Sequence, residues 1–174
     1  MIPESALFAL VGWGIVPGVE IRDGVVLVRE GQAERVGAPE AVISLLADSG
    51  AASVNRSRFV GREGGAPPHF HRLASEMFFV VGGVLEVLVG EEVVSLRGGD
   101  FLSVPPGVPH AFGAAEGEEA DVLCVFTPGV GRFEYYRLLE RVRVGEAGVG
   151  EIARSGERFD NYYVDSPVWT GRGR

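Results

Sequence analysis

Between residues 24 and 126 the chain alternates short runs rich in Val, Leu and Phe with breaks of Gly, Pro and Asp-Ser-Gly. Regularly spaced runs of this kind predict antiparallel strands in a sandwich or barrel. The predicted strands cover 24–29, 42–46, 53–60, 77–81, 84–89, 92–96, 101–104, 110–112 and 122–126. Gly82-Gly83 reads as a two-residue hairpin turn, because glycine reaches positive φ at little steric cost. Gly98-Gly99-Asp100 marks a second reversal. Pro39-Glu40 could open a short helix, but Asp48-Ser49-Gly50 also fits a hairpin turn, and a hairpin is expected. After Pro128-Gly129 the period changes. Phe133, Tyr136, Leu138 and Leu139 fall at helical spacing, with Glu134, Arg137, Glu140 and Arg141 on the other face. A second short helix is expected over 149–154, and 161–174 shows no clear period. The expected organisation is an N-terminal arm (1–23), an all-β barrel (24–126) and a short helical C-terminal tail (127–174) in the same domain.

The 174 residues are 46% hydrophobic and 23% charged, the composition of a folded domain. The apolar stretch 6–19 has Glu4 and no basic residue before it, so it lacks the pattern of a secretory signal. It is shorter than the roughly 20 residues of a membrane span and is interrupted by Gly14 and Pro17. It is read as an arm that packs on the core or on a second subunit of a homodimer, in a cytoplasmic protein. The net charge of −8 argues against nucleic-acid or anionic-membrane partners, which bind clustered positive charge. The single cysteine, Cys124, excludes an intrachain disulfide and a multi-cysteine zinc site, and is expected to behave as a small buried hydrophobe. All 16 cationic residues are Arg, which excludes Schiff-base chemistry and a P-loop lysine.

Candidate chemistry concentrates on the three histidines. His69 and His71 are two apart, so on an extended segment their imidazoles leave the same face. Glu76 follows five residues later, entering the apolar run Met77-Phe78-Phe79-Val80-Val81. A carboxylate is costly to desolvate there unless something positive meets it. His110 follows the turn Pro105-Pro106-Gly107-Val108-Pro109. Singly, each could be an ordinary loop residue or turn cap. Together, three imidazoles and one carboxylate make an N/O site for one divalent transition metal: Fe, Ni, Mn, Cu, Co or Zn.

At these residues the chain resembles the cupin superfamily. Gly64, His69-x-His71-x4-Glu76 and Gly82 look like the first cupin motif, and Gly99-x5-Pro105-x-Gly107-x2-His110 like the second. The resemblance implies a double-stranded β-helix, the cupin jelly-roll barrel, with metal ligands His69, His71, Glu76 and His110. Ala114 stands where the second motif often has Asn, a departure that points away from the germin-like branch and does not touch the ligands. The segment Thr127-Pro128-Gly129-Val130-Gly131-Arg132-Phe133-Glu134 is similar to small quercetin-dioxygenase-like cupins, in which a helix begins here and covers the barrel mouth.

The expected activity is oxidative C–C cleavage of a small aromatic or enolisable substrate with O2, Glu76 serving as ligand and general base. The alternatives are a non-oxidative isomerase, cyclase or decarboxylase, or a non-catalytic small-molecule-binding cupin. Strand alternation places Phe78 on the face of Glu76 and Phe112 on that of His110, so both rings are expected to face the substrate. Phe101 and Ser103, two apart on the strand leading into Pro105, are expected on an interior face as well. Tyr136, beside Tyr135, is the expected lid contact. Asn55 could reach a polar substrate; Arg58 is expected on a solvated face.

Overall fold

The computed structural model describes residues 14–16, 19–22 and 25–171, in two compact units that divide between Ala33 and Glu34. In the first unit, β1 (Gly14–Val16), β2 (Val19–Arg22) and β3 (Val25–Val28) form a three-stranded antiparallel sheet. The predicted strand 24–29 therefore pairs with β2, its neighbour in sequence, rather than with the main sheet. Adjacent segments close the shortest loop, at the least entropy cost. Most of the expected apolar arm at 6–19 lies outside the described residues. No helix among the described residues is long and apolar enough to cross a membrane.

The second unit holds the site. Its strands are β4 (Glu34–Ala38), β5 (Ala41–Asp48), β6 (Ser53–Val60), β7 (Ala66–Phe70), β8 (Ser75–Val89), β9 (Glu92–Arg97), β10 (Phe101–Val104), β11 (His110–Ala114), β12 (Glu119–Thr127) and β13 (Tyr162–Tyr163). They form a curled antiparallel sheet in the order β13-β7-β11-β8-β12-β6-β5-β4, with β9 and β10 also paired to β8. Residues 41–48 are strand rather than helix, and β5 pairs with β6 across Asp48-Ser49-Gly50, the expected hairpin; Pro39-Glu40 turns instead between β4 and β5.

Period-two alternation selects the interior. On β12, Ala120, Val122, Cys124 and Phe126 are buried; on β6, Ser53, Asn55, Ser57 and Phe59. On β8 the inward positions are Glu76, Phe78 and Val80, then Leu85 and Val87. The parity changes from even to odd at Gly82-Gly83. These glycines are not the predicted hairpin turn: β8 runs through them, and its register with β12 shifts between Asp121 and Val122. One extra residue is absorbed as a bulge, which bends the strand from one face of the barrel to the next. Gly83 has φ 76°, and a Cβ there would stand 1.9 Å from the Glu119 carbonyl oxygen, so only glycine fits. The strand finally reverses at Gly90 (φ 63°).

β1, β2 and β4 were not expected as strands, and neither were two that flank the site. β7 carries Pro67 and Pro68, which cannot donate to a ladder, and its pairing with β11 slips between His110 and Phe112. β13 comes from the tail without periodic signal and adds to the edge of β7, with Tyr163 opposite His69. The helices are α1 (Arg132–Arg143), α2 (Val149–Arg154), α3 (Gly156–Phe159) and α4 (Pro167–Thr170). The face that α1 buries holds Arg132, Tyr135, Tyr136 and Leu138, with Phe133 and Leu139 at its margin. It packs on Val36, Ile43 and Leu45 of β4 and β5.

Candidate metal centre

Inside this barrel four polar side chains meet. His69 on β7, His71 just beyond it, Glu76 on β8 and His110 on β11 are each 2% exposed or less. One ligand atom from each lies within 4.8 Å of the others. Backbone pairing places them: His69 and His110 are cross-strand partners, and Glu76 stands opposite Val104 of β10. The Gly107 amide donates to the His71 carbonyl at 2.7 Å, which holds the proline turn before His110 against the other histidine pair.

Each imidazole is oriented from behind. Nδ1 of His69 meets the Pro67 carbonyl at 2.8 Å, Nδ1 of His110 the Val108 carbonyl at 2.9 Å, and Nδ1 of His71 the Asp160 carbonyl. A carbonyl only accepts, so each Nδ1 carries the proton, and a ring in its neutral form then presents its Nε2 lone pair inward. Those Nε2 atoms face Glu76 Oε2 at 2.8 Å (His110), 3.1 Å (His71) and 3.7 Å (His69). The carboxylate also accepts. With the rings in their neutral form, four buried acceptors cannot satisfy one another, but a shared cation satisfies all four. Three nitrogens and one oxygen at this separation fit a single divalent ion with bonds of about 2.0–2.2 Å, and the carbonyls behind the rings are the partners metal-binding histidines use.

The electrostatics agree. Burial pushes the His69 imidazole down to about 4, against a pull upward from Glu76, so this ring is neutral at neutral pH. For Glu76 burial alone would raise the carboxyl, but contacts with His110, His69 and His71 outweigh it and hold it well below the ordinary carboxylate range. The site thus offers an ionised oxygen at Glu76 and a neutral nitrogen at His69.

Asp160 braces the connection between His71 and Glu76. Its carboxylate accepts the amides of Arg72 at 2.8 Å and of Leu73 and Ala74 at 2.9 Å, while its own carbonyl takes the His71 Nδ1 proton. It does so from a left-handed conformation (φ 52°) just after α3. Sequence patterning carries no sign of it, because these partners lie 86 to 89 residues away in the chain.

Beside His69 and Glu76 opens a cavity of about 510 Å³, walled by Phe59, Phe112, Cys124, Tyr135, Tyr136 and Tyr163 among others. Of the expected substrate contacts, Phe112 and Tyr136 line it. The Tyr136 hydroxyl donates to Asn55 Oδ1 at 3.1 Å, and Asn55 is itself fully inside the barrel. Phe78 is wholly buried behind Phe112, 4.9 Å between ring centres, and is core rather than cavity wall. Phe101 and Ser103 correct the expectation outright: both are exposed, Phe101 at 60%, while Leu102 and Val104 take the inward positions of β10. Alternation was right about the two-residue repeat and wrong about its phase. Arg58 is exposed and paired with Asp121, as expected of a solvated face. Cys124 is buried as expected, but it borders the cavity, and its thiol is pushed up by burial and by Glu76. Arg132 and Asn161 also line the cavity. Arg132 could have been noticed, since a cation in the first turn of a helix opposes the helix dipole.

Residues 56–126 match the family model described as a cupin domain. No curated protein matches the chain at a significant level. Among solved structures, KdgF from Halomonas sp. is 22% identical with a TM-score of 0.54, covering 60% of this chain and 94% of that one. An RmlC-like cupin from Shewanella frigidimarina is 23% identical with a TM-score of 0.54, covering 60% and 92%. The polyketide cyclase RemF from Streptomyces resistomycificus is 20% identical with a TM-score of 0.51, covering 58% and 78%. These likenesses are of fold, and the fold agrees with the family match and with both histidine-bearing motifs inside it. Residues 56–126 thus form a cupin domain, on which the sequence match and the fold agree.

Proposed function

We propose that this protein is a mononuclear metal-dependent enzyme that takes a small aromatic or enolisable compound into the cavity beside His69 and Glu76 and cleaves it oxidatively with O2. The observation that carries the reading is the convergence of four buried lone pairs, each imidazole held from behind by a carbonyl, at the edge of a largely apolar cavity. A divalent ion held by His69, His71, Glu76 and His110 would supply Lewis-acid activation of a substrate oxygen and, if redox-active, electron transfer to O2. Phe59, Phe112, Tyr135 and Tyr136 exclude water and flank a flat substrate. Glu76 is ionised at neutral pH, and its Oε1, which takes no part in the three imidazole contacts, accepts the proton of the substrate hydroxyl. The resemblance of 127–134 to quercetin-dioxygenase-like cupins, drawn from the sequence alone, is what favours oxidative cleavage in this reading.

A second reading rests on the donor set itself, which also suits Zn(II), an ion without redox chemistry. The protein would then be a Lewis-acid isomerase, cyclase or decarboxylase. Elemental analysis of the purified protein, followed by oxygen-electrode assays with flavonols and β-diketones, separates the two. Oxygen uptake matching substrate loss, abolished in His110→Ala, supports the dioxygenase. Turnover without uptake selects the second reading. Bound metal without turnover of any such compound points to a binding protein, and absence of bound metal overturns both enzymes.

A further inference from the structure

We propose that Arg132 and Asn161 form an anion-recognition subsite in the cavity wall, and that the substrate carries a carboxylate which they bind while its reacting group faces His69 and Glu76. The inference rests on the reading of this cavity as the substrate site and narrows the substrate class to small aromatic or enolisable acids.

Arg132 is 3% exposed at the start of α1. Its Nη1 donates to the Phe159 carbonyl and its Nη2 to Asn161 Oδ1, each at 3.2 Å. Both acceptors are neutral. Nε is buried with no hydrogen-bond partner, and so is Nδ2 of Asn161, the residue bonded to the same guanidinium. No carboxylate among the described residues pairs with Arg132, so a full positive charge stands inside the protein without a counterion. Such burial is costly. The guanidinium lies over Phe126 at 4.1 Å, Tyr135 at 4.8 Å and Tyr136 at 5.8 Å from the ring centres. These faces offset part of the cost, yet they leave the two orphaned donors unmet.

Two unmet donors beside an uncompensated cation call for a planar anion. A carboxylate fits, because one of its oxygens accepts from Arg132 Nε–H and the other from the Asn161 Nδ2 amide. The location suits a substrate rather than a structural ion. Arg132 and Asn161 line the same cavity as His69 and Glu76. Phe126, over which the guanidinium lies, is 5.5 Å from the His71 ring and is the cross-strand partner of Glu76. The charge is thus one aromatic ring away from the donor cluster. Arg143, the other arginine at the cavity, is already paired with Glu140 at 2.6 Å.

The test is an NMR titration of the Zn(II)-loaded, full-length protein with benzoate and with its neutral isostere benzamide, with metal content measured on every sample. Benzoate should bind at least about tenfold more tightly than benzamide, and the Arg132 Nε–H resonance should move with benzoate only. Arg132→Gln should narrow the ratio by about tenfold; a merely structural arginine would weaken both probes alike and leave the ratio unchanged. A wild-type ratio near one, or a ratio indifferent to the substitution, overturns the proposal. Should Arg132→Gln not fold, the wild-type ratio and the Nε–H resonance decide, and benzoate binding that leaves this resonance still is a refutation. Metal content separates the two levels. A sample that holds no metal but keeps an Arg132-dependent preference sinks the metalloenzyme and supports the subsite, whereas a metal-loaded sample without that preference does the reverse.

Discussion

Replacing Asp160 by alanine removes three hydrogen bonds from the loop that joins His71 to Glu76. The three amides do not lose equally. Arg72 and Leu73 are exposed, so water can take over their N–H groups, at a cost of about 1 kcal/mol each. Ala74 is 1% exposed, and its amide is left without a partner, which costs about 2 kcal/mol. The sum is about 4 kcal/mol, or a fall in Tm of roughly 10 °C for a chain of this size. The Asp160 carbonyl still exists to meet His71 Nδ1, but the side chain that fixes its position is gone. Loss of such outer support typically weakens metal binding by about 10- to 100-fold. Asp160→Asn keeps the shape and tolerates the left-handed backbone, yet offers one acceptor oxygen in place of two and no charge. It should cost about 2 kcal/mol, with a smaller loss of affinity. Thermal melts of the metal-free proteins and Zn(II) competition against a chromophoric chelator measure both quantities. An alanine variant within about 2 °C of the parent, with unchanged Zn(II) affinity, would refute the claim that the tail braces the donor cluster.

The pH profile follows from His69. Burial holds it at about 4 against an ordinary value near 6.5, so between those values the unfolded chain takes up a proton that the folded chain refuses. The corresponding stability is complete above about pH 6.5 and drains away as the pH falls toward 4. Metal loading should fall as the pH reaches about 4, where folded His69 takes up its proton, because a protonated imidazole cannot ligate. Melting temperature and metal content that both stay flat down through that pH would contradict the assignment. Phe101→Ser should change the urea-unfolding free energy by no more than about 0.5 kcal/mol and leave benzoate binding intact, since the ring is exposed. Phe112→Ala, removing a ring packed on Phe59 and Phe78, should cost about 3–5 kcal/mol in the same unfolding measurement. Gly83→Ala, with its Cβ forced to 1.9 Å from a backbone oxygen, should lose at least about 2 kcal/mol. Gly90→Ala meets nothing within 4 Å and should lose about 1 kcal/mol for its positive φ alone; equal losses for the two glycines would show that close approach is not what Gly83 serves.

What could be read from the chain itself was local. Period-two runs marked most of the strands, the helical period marked α1 and α2, and the spacing of His69, His71, Glu76 and His110 marked the donors, because each of these signals is carried by neighbours within one short segment. The phase of a repeat is a different matter. Whether Phe101 or Leu102 faces inward depends on which side of β10 the rest of the barrel occupies, and no residue of β10 records that. Gly82-Gly83 has the same composition as a turn and as a bulge; the choice is made by β12, which pairs on both sides of it. Tertiary structure alone brought Asp160, Asn161 and Tyr163 from the unpatterned tail to the donor cluster and bonded Arg132 to Asn161. Those contacts join residues far apart in sequence, and their energy comes from burial and from pairing of charge and hydrogen bonds, terms that exist only once the chain has closed on itself.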